Sequence, residues 1–333
     1  MNKLIILLFL TASLHTGAQQ TTIVPVGTVL PLRQTPVHDP VMIKEGKTYY
    51  LFSTGMGISV FSSKDTKSWT KEKPVFEKAP EWTFIVLPGF KGHIWAPDIS
   101  FHNGIYYLYY SVSDFGKNTS CIGVAVNKTL DKSSPDFGWV DKGKVLQSVP
   151  NRDMWNAIDP NLIEDEKGIP WLTFGSFWEG IKLVKLDTDF LRVAEPQVWC
   201  SLARRKRDDD NSDSSAGNGA IEAPFIFKRV SFYYLFVSVD YCCRAEKSDY
   251  KIVVGRSEKI TGPYLDKKGE DLFQGGGSLV RQGDKNWYGV GHNAAYRTEG
   301  KDYLIYHGYD AKDKGKSKLL IEELSWTADG WLK

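Results

Sequence analysis

Net charge is nearly absent from this 333-residue chain: 42 basic side chains stand against 40 acidic ones, a formal balance of +2. A nucleic-acid binder needs a basic face or cluster, so that class is not expected. The one basic run, Arg204 to Arg207, is followed at once by Asp208 to Asp210, and the two runs read together as a solvated loop. Cysteine is scarce as well, with only Cys121, Cys200, Cys242 and Cys243. Their spacing fits no zinc pattern. Adjacent cysteines seldom bond each other, so these are expected as small buried side chains, although an exported chain permits disulfides. Long apolar runs are missing after the first ten residues. The run Leu4 to Leu10 is too short to span a bilayer. With Lys3 before it and Gly17-Ala18 after it, residues 1–18 read as a signal peptide. No cysteine falls in this leader, which argues against a lipid anchor at the cleavage site. The protein is therefore expected in the periplasm or outside the cell, without a membrane anchor. No helical period of 3.6 residues persists beyond the leader.

What the chain has in quantity is aromatic residues, 13% of the total. They favour strands, and they offer flat apolar faces to sugars. They also recur. Five segments line up: "HDPVMIKEGKTYYLFST" from His38, "APDISFHNGIYYLYYSV" from Ala96, "IDPNLIEDEKGIPWLTFGS" from Ile158, "IEAPFIFKRVSFYYLFVSV" from Ile221 and "GHNAAYRTEGKDYLIYHGY" from Gly291. Each opens on a polar residue, then gives an apolar run, a turn and an aromatic run. β-branched runs ending in Asp, Lys, Ser or Gly turns fill the intervals, the punctuation of strands and hairpins. A unit of about 60 residues with four short strands is a propeller blade. The expected fold is all-β, a five-bladed β-propeller, with residues 19–333 as a single domain.

In a propeller the first strand of each blade lines the axis. The opening residues Asp39, Asp98, Asp159, Glu222 and His292 are thus expected to ring one mouth of that axis. Gathering carboxylates raises their pKa values by mutual repulsion, a cost that structure alone would not choose. The alternative for any one of them is a strand cap bonding a backbone N–H. Two carboxyl groups across a glycosidic bond hydrolyse it, one protonating the leaving oxygen while the other activates water or attacks. A third acid raises the pKa of the donor and holds it in place.

These residues carry a family resemblance. The chain resembles glycoside hydrolase family 43, and within it the arabinan endo-1,5-α-L-arabinanases. The likeness runs from about Val37 to the C-terminus. It rests on "VHDP", "HIWAPDIS", "YYLYYSVSDFGKNTSCIGVA", "WNAIDPNL", "WLTFGSFWEGIKL", "AIEAPFI", "YYLFVSVDYCCR", "ITGPY", "GGGS", "GVGHN" and "LIEELSWTADGWL", in that order. The resemblance implies that Asp39 is the general base, Glu222 the general acid and Asp159 the third carboxylate that tunes and orients Glu222. It also implies inversion of the anomeric centre, with the Asp39 and Glu222 carboxyls roughly 6.5–9.5 Å apart. His292 resembles an axial histidine that binds a metal, expected to be calcium held largely through water. One histidine is an unusual anchor for an ion that prefers oxygen.

Asp98 is expected either to orient substrate or to satisfy backbone donors. His38, Trp95 and Phe115 are candidates to line subsites, with Trp95 and Phe115 stacking on arabinose. Core packing is the competing role for each ring. Asn156, Ser176 and Phe177 lie beside the third acid motif and are candidate sugar contacts. The substrate is expected to be arabinan or an arabino-oligosaccharide, and the enzyme a monomer. Internal cleavage is expected because "SDFGKNTS" and "FGSFWEG" look arabinanase-like. An exo-acting arabinofuranosidase or β-xylosidase is the nearest rival, and a non-catalytic carbohydrate-binding propeller is the other. The charged, Gly/Ser-rich stretch from 202 to 220 is expected to be a mobile surface loop at one end of the cleft.

Overall fold

The aromatic runs of the repeat become the second strand of each blade: Thr48–Ser53, Ile105–Val112, Pro170–Phe174, Phe232–Val239 and Lys301–Asp310. These strands show almost no in–out alternation. From Tyr106 to Val112, for example, every residue is buried. A strand in the middle of a blade is covered on both faces by neighbouring blades, so both faces take apolar side chains. The computed structural model describes residues 24–208 and 211–333. The leader expected at 1–18 therefore lies outside the described residues.

Each second strand pairs antiparallel with an inner strand: Val41–Glu45, His93–His102, Asn161–Glu164, Ile221–Arg229 and Trp287–Thr298. The inner strands touch one another in a closed cycle, blade 1 to 2 to 3 to 4 to 5 and back to 1, which makes them the wall of the axis. The expected all-β, five-bladed propeller is what the structure shows. Blades 1 to 4 each hold four meandering strands, with Val29–Pro31 added outside blade 1 and Gly55–Met56 added to the inner edge of blade 2. Among the described residues blade 5 has three strands where four were expected. Its third strand, Lys316–Glu323, meets the N-terminal segment, where Leu319 N–H donates to Thr35 O at 3.0 Å and helps close the ring. Among the described residues, the single α-helix is Glu81–Val86, six residues before the inner strand of blade 2.

Neighbouring inner strands are latched by buried side chains. Asp98 in blade 2 accepts from Leu162 N–H (2.8 Å) and Asn161 Nδ2 (3.3 Å) in blade 3. Asn161 in turn accepts from Ile226 N–H (2.8 Å) in blade 4. The same position thus repeats the same latch one blade later. Burial pushes the Asp98 carboxyl up to about 7, against the pull of its two donors.

The cysteine expectation needs one correction. Cys242 and Cys243 form a disulfide, despite their adjacency. The chain accommodates it in a loop where Cys243 has a left-handed φ of 65°. Cys121 and Cys200 are free.

Candidate active site

At one end of the axis the chain of each inner strand turns a sharp corner, either just before the strand or within it. The corner residues are Asp39, Ala96, Asp159, Ala223 and His292, all with positive φ between 41° and 58°. Non-glycine residues rarely adopt this conformation, and it is held here by tertiary bonds. In four of the five, the corner N–H donates to a side chain at the end of the preceding blade's second strand. Ala96 uses Thr54 Oγ1 (2.8 Å), Asp159 uses Ser111 Oγ (3.0 Å), His292 uses Ser238 Oγ (2.8 Å) and Asp39 uses His307 Nδ1 (3.2 Å). Blade 3 has Gly175 at that place, and Ala223 N–H turns instead to Asp159 Oδ2 (3.1 Å).

This register corrects the expected ring. Asp39, Asp159 and His292 are equivalent corners. Glu222 lies one residue before its corner, and Asp98 lies two residues after. Asp98 consequently faces blade 3 as a latch and does not join the other carboxylates; backbone satisfaction, the second of its two expected roles, is what it does.

Asp39 is 8% exposed and surrounded by donors. Its Oδ1 lies 2.8 Å from His38 Nδ1 and 3.0 Å from His292 Nδ1, and Thr54 Oγ1 donates to Oδ2 at 2.5 Å. Burial alone would raise this acid. The charges and hydrogen bonds of His292 and His38 outweigh it and hold the carboxyl well below the usual range. Asp159 stands in the opposite setting. Burial first, then the negative charges of Glu222 and Asp39, push it up to about 8, with His292 opposing them. Glu222 is held at both oxygens: Ser176 Oγ donates to Oε2 (2.9 Å) and Tyr250 Oη to Oε1 (2.8 Å). Tyr250 is fully buried. Its ring lies against Gly291, where a Cβ would come within 2.1 Å of Cδ1.

The structure thus brings Asp39, Asp159, Glu222, His292, His38 and Ser176 into one neighbourhood. Phe177 follows Ser176 in a bulge whose N–H donates to Ile221 O (2.8 Å), and its ring is 6.1 Å from Tyr241. Trp95 sits one residue before its corner and donates from Nε1 to His93 (3.0 Å). Phe115 is 76% exposed on the loop after the second strand of blade 2, free of the core. Asn156 is buried and ties two loops through Lys117 O (3.3 Å). Thr54, Tyr250, His307 and Tyr309 escaped the sequence reading. The first and third end the aromatic runs, in "YYLFST" and "LIYH", and alignment of those run ends would have found them. Tyr250 carries no such signal.

His38, Asp39 and His307 place three possible metal-ligand atoms within 4.8 Å of one another. Both nitrogens of His38 and of His307 already have hydrogen-bond partners. His292 Nε2 is different, taking no hydrogen bond from the described residues. It fits a one-point anchor whose other ligands come from water, not an oxygen cage of the kind calcium prefers. Burial lowers the basicity of this ring, but Asp39 and Asp159 outweigh that and raise it to about 9.

The description "Glycosyl hydrolases family 43" matches residues 30–332. The chain belongs to family 43 and is a glycoside hydrolase. Among its relatives is the extracellular exo-α-(1→5)-L-arabinofuranosidase ArbA of Cellvibrio japonicus, 56% identical over 90% of this chain and 86% of that protein. Another is the extracellular endo-α-(1→5)-L-arabinanase 1 of Bacillus subtilis, 42% identical over 89% of this chain and 86% of that one. A solved family 43 neighbour is the α-L-arabinanase of Cellvibrio cellulosa complexed with arabinohexaose. Its TM-score is 0.88 at 55% identity, covering 90% of this chain and 95% of the other.

Proposed function

We propose that the protein hydrolyses α-1,5-linked L-arabinofuranose chains with inversion, using Asp39 as general base, Glu222 as general acid and Asp159 as the acid that tunes and orients Glu222. One observation carries the reading: buried carboxyls in a common pocket are driven in opposite directions, Asp39 down and Asp159 up. Such a split assigns one member of a site to accept a proton while another keeps one. Water held by Asp39 attacks the anomeric carbon and gives its proton to Asp39. The bond to the leaving oxygen breaks as Glu222 supplies a proton, with the Ser176 and Tyr250 hydroxyls orienting its carboxyl. His292 Nε2 would hold a calcium largely through water, and the ion would supply positive charge to the acid pocket. The arabinan substrate is supported by the names of both relatives and by the arabinohexaose bound to the neighbour. Export through a leader at 1–18 is part of this reading, and both relatives are named extracellular.

The sequence favoured internal cleavage. The relative at 56% identity is named for exo action, and the one at 42% for endo action. The stretch before Glu222 is also docked: Arg205 pairs with Asp240 (2.8 Å), and Trp178 Nε1 donates to Asp213 O (2.8 Å). That packing beside the Ser176–Trp178 bulge suits a cleft closed at one end, and we infer cutting from a chain end. Timed product sizing on linear arabinan tests this, since early long oligomers would restore the endo reading. NMR of the first-formed sugar tests inversion, and retained configuration would remove Asp39 from its role.

A further inference from the structure

An indole N–H can only donate, so the hydrogen bond from Trp95 Nε1 to His93 Nδ1 at 3.0 Å has one direction. An imidazole that accepts at Nδ1 is neutral and carries its proton on Nε2. Burial, the largest influence on this ring, lowers its basicity; Asp39 opposes that fall and His38 adds to it. Among the described residues Nδ1 is taken by Trp95 and Nε2 has no hydrogen-bond partner. The strand says where this donor sits. His93 and Trp95 lie two residues apart on His93–His102, so they project from one face. Ile94 between them projects from the other and is 0% exposed in the core. His93 and Trp95 are both half-buried. Gly55–Met56 pairs alongside, with Met56 opposite His93. That short strand follows directly on Thr54, whose hydroxyl donates to Asp39 Oδ2 and accepts from the N–H of Ala96, the residue after Trp95. One threonine thus ties the Asp39 carboxylate to the His93–Trp95 pair, which flanks the acid pocket on its blade 1–2 side.

We propose that His93 is a substrate-binding residue: its Nε2–H, set by the Trp95 indole, donates to a hydroxyl or ring oxygen of an arabinofuranose unit lying against Trp95. The inference rests on the reading of the substrate as an arabinofuranose chain, and it adds a residue outside the candidates read from the sequence. A neutral sugar is held by an apolar face together with a few placed polar groups. Here the indole offers the face, and the imidazole offers an uncharged donor beside it. The bond between the two rings fixes both before substrate arrives, so less ordering remains to oppose binding.

The test is long-range proton–nitrogen correlation at neutral pH on enzyme labelled with 15N-histidine, carrying Glu222→Gln to keep substrate uncut and titrated with a linear arabino-oligosaccharide. Before the sugar is added, His93 should show a bare Nδ1 and a protonated Nε2. At saturation the Nε2–H signal should shift while Nδ1 stays bare. In steady-state kinetics on otherwise wild-type enzyme, His93→Phe keeps a ring and loses the donor. It should raise KM roughly two- to tenfold with kcat little altered. His93→Gln, whose amide reaches toward the same oxygen, should restore part of that loss. A purely structural role would lower the melting temperature and leave the Nε2–H signal unmoved by sugar. A proton on Nδ1 of His93 in the free enzyme overturns the proposal, as does a His93 signal that stays still while those of His38 or His292 move. Should His93→Phe fail to fold, the titration alone decides. If no histidine responds to the arabino-oligosaccharide, the substrate reading itself falls, and the proposal with it.

Discussion

Removing one oxygen atom, in Tyr250→Phe, isolates the support of the proton donor. The Tyr250 hydroxyl donates to Glu222 Oε1 at 2.8 Å inside a fully buried site, and the phenyl ring alone fills the space against Gly291. The substitution therefore deletes a hydrogen bond and leaves packing intact. On the proposed reading, Glu222 is a neutral acid before the bond-breaking step and a carboxylate after it. A hydrogen bond to a neutral group contributes about 1 kcal/mol net, and one to a charged group about 1.5–3. The interaction is thus stronger by about 0.5–2 kcal/mol as the proton leaves, and only that difference acts on the chemical step. Converted to rate, it predicts a fall in kcat of roughly two- to thirtyfold with KM nearly unchanged. The assay is steady-state kinetics on a linear arabino-oligosaccharide of fixed length, repeated with aryl arabino-oligosides whose leaving groups need little protonation. The loss should shrink as the leaving group improves. A rise in KM at constant kcat, or an equal loss with every leaving group, would refute this reasoning.

Gly291→Ala should reach the same residue from behind, since the new Cβ would overlap the Tyr250 ring at 2.1 Å. Overpacking of this kind costs about 1–3 kcal/mol, so both melting temperature and kcat should fall, where Tyr250→Phe lowers kcat alone. Asp98→Ala strands Leu162 N–H and the Asn161 amide at the blade 2–3 latch. It should cost roughly 2–4 kcal/mol in denaturant unfolding with KM unchanged, and a raised KM at full stability would return Asp98 to the substrate. Asp159 is protonated below about pH 8 and ionised above it, so kcat/KM should decline as pH rises through about 8. In Asp159→Asn, which cannot titrate, that limb should vanish from a much lower rate. For stability the sign is the same. The folded pKa lies above the unfolded value of 3.8, so the contribution of Asp159 is full below that value and is lost as pH climbs through about 8.

The propeller was legible because its signal is long-range repetition of an aromatic strand, and both faces of that strand are buried in every blade. What misled was phase. Aligning acids with acids put Asp98 and Glu222 at the corner, whereas the structure places Ala96 and Ala223 there. A bulge lies between Trp95 and Asp98 and another between Glu222 and Phe225, so residues one or two positions apart face different neighbours. The prolines held the correct phase: Pro40, Pro97, Pro160 and Pro224 each follow a corner. The Tyr250 contact was not legible at all. A tyrosine in "SDYKIVV" looks like any strand aromatic, and only the folding of blade 4 brings its hydroxyl to Glu222 on the inner strand of the same blade.

The fivefold pattern explains why the three acids differ in their surroundings. Each corner presents one side chain to the axis and one N–H to the preceding blade. Where that blade ends in Ser111, Ser238 or Thr54, a hydroxyl satisfies the N–H, and Thr54 can still spend its proton on Asp39. Where it ends in His307, the imidazole Nδ1 accepts the N–H instead. Where it ends in Gly175, no side chain is available, and a Cβ there would meet Gly180 O at 2.7 Å. Asp159 must supply the acceptor, which turns one of its oxygens toward blade 4. The same glycine lets the chain bulge through Ser176 and Phe177, and Ser176 reaches Glu222. The absence of a side chain at Gly175 thus draws Asp159 and Ser176 toward Glu222, while His292 and His38 hold Asp39 low. The asymmetry of the pocket comes from departures at single positions, set on a regular repeat.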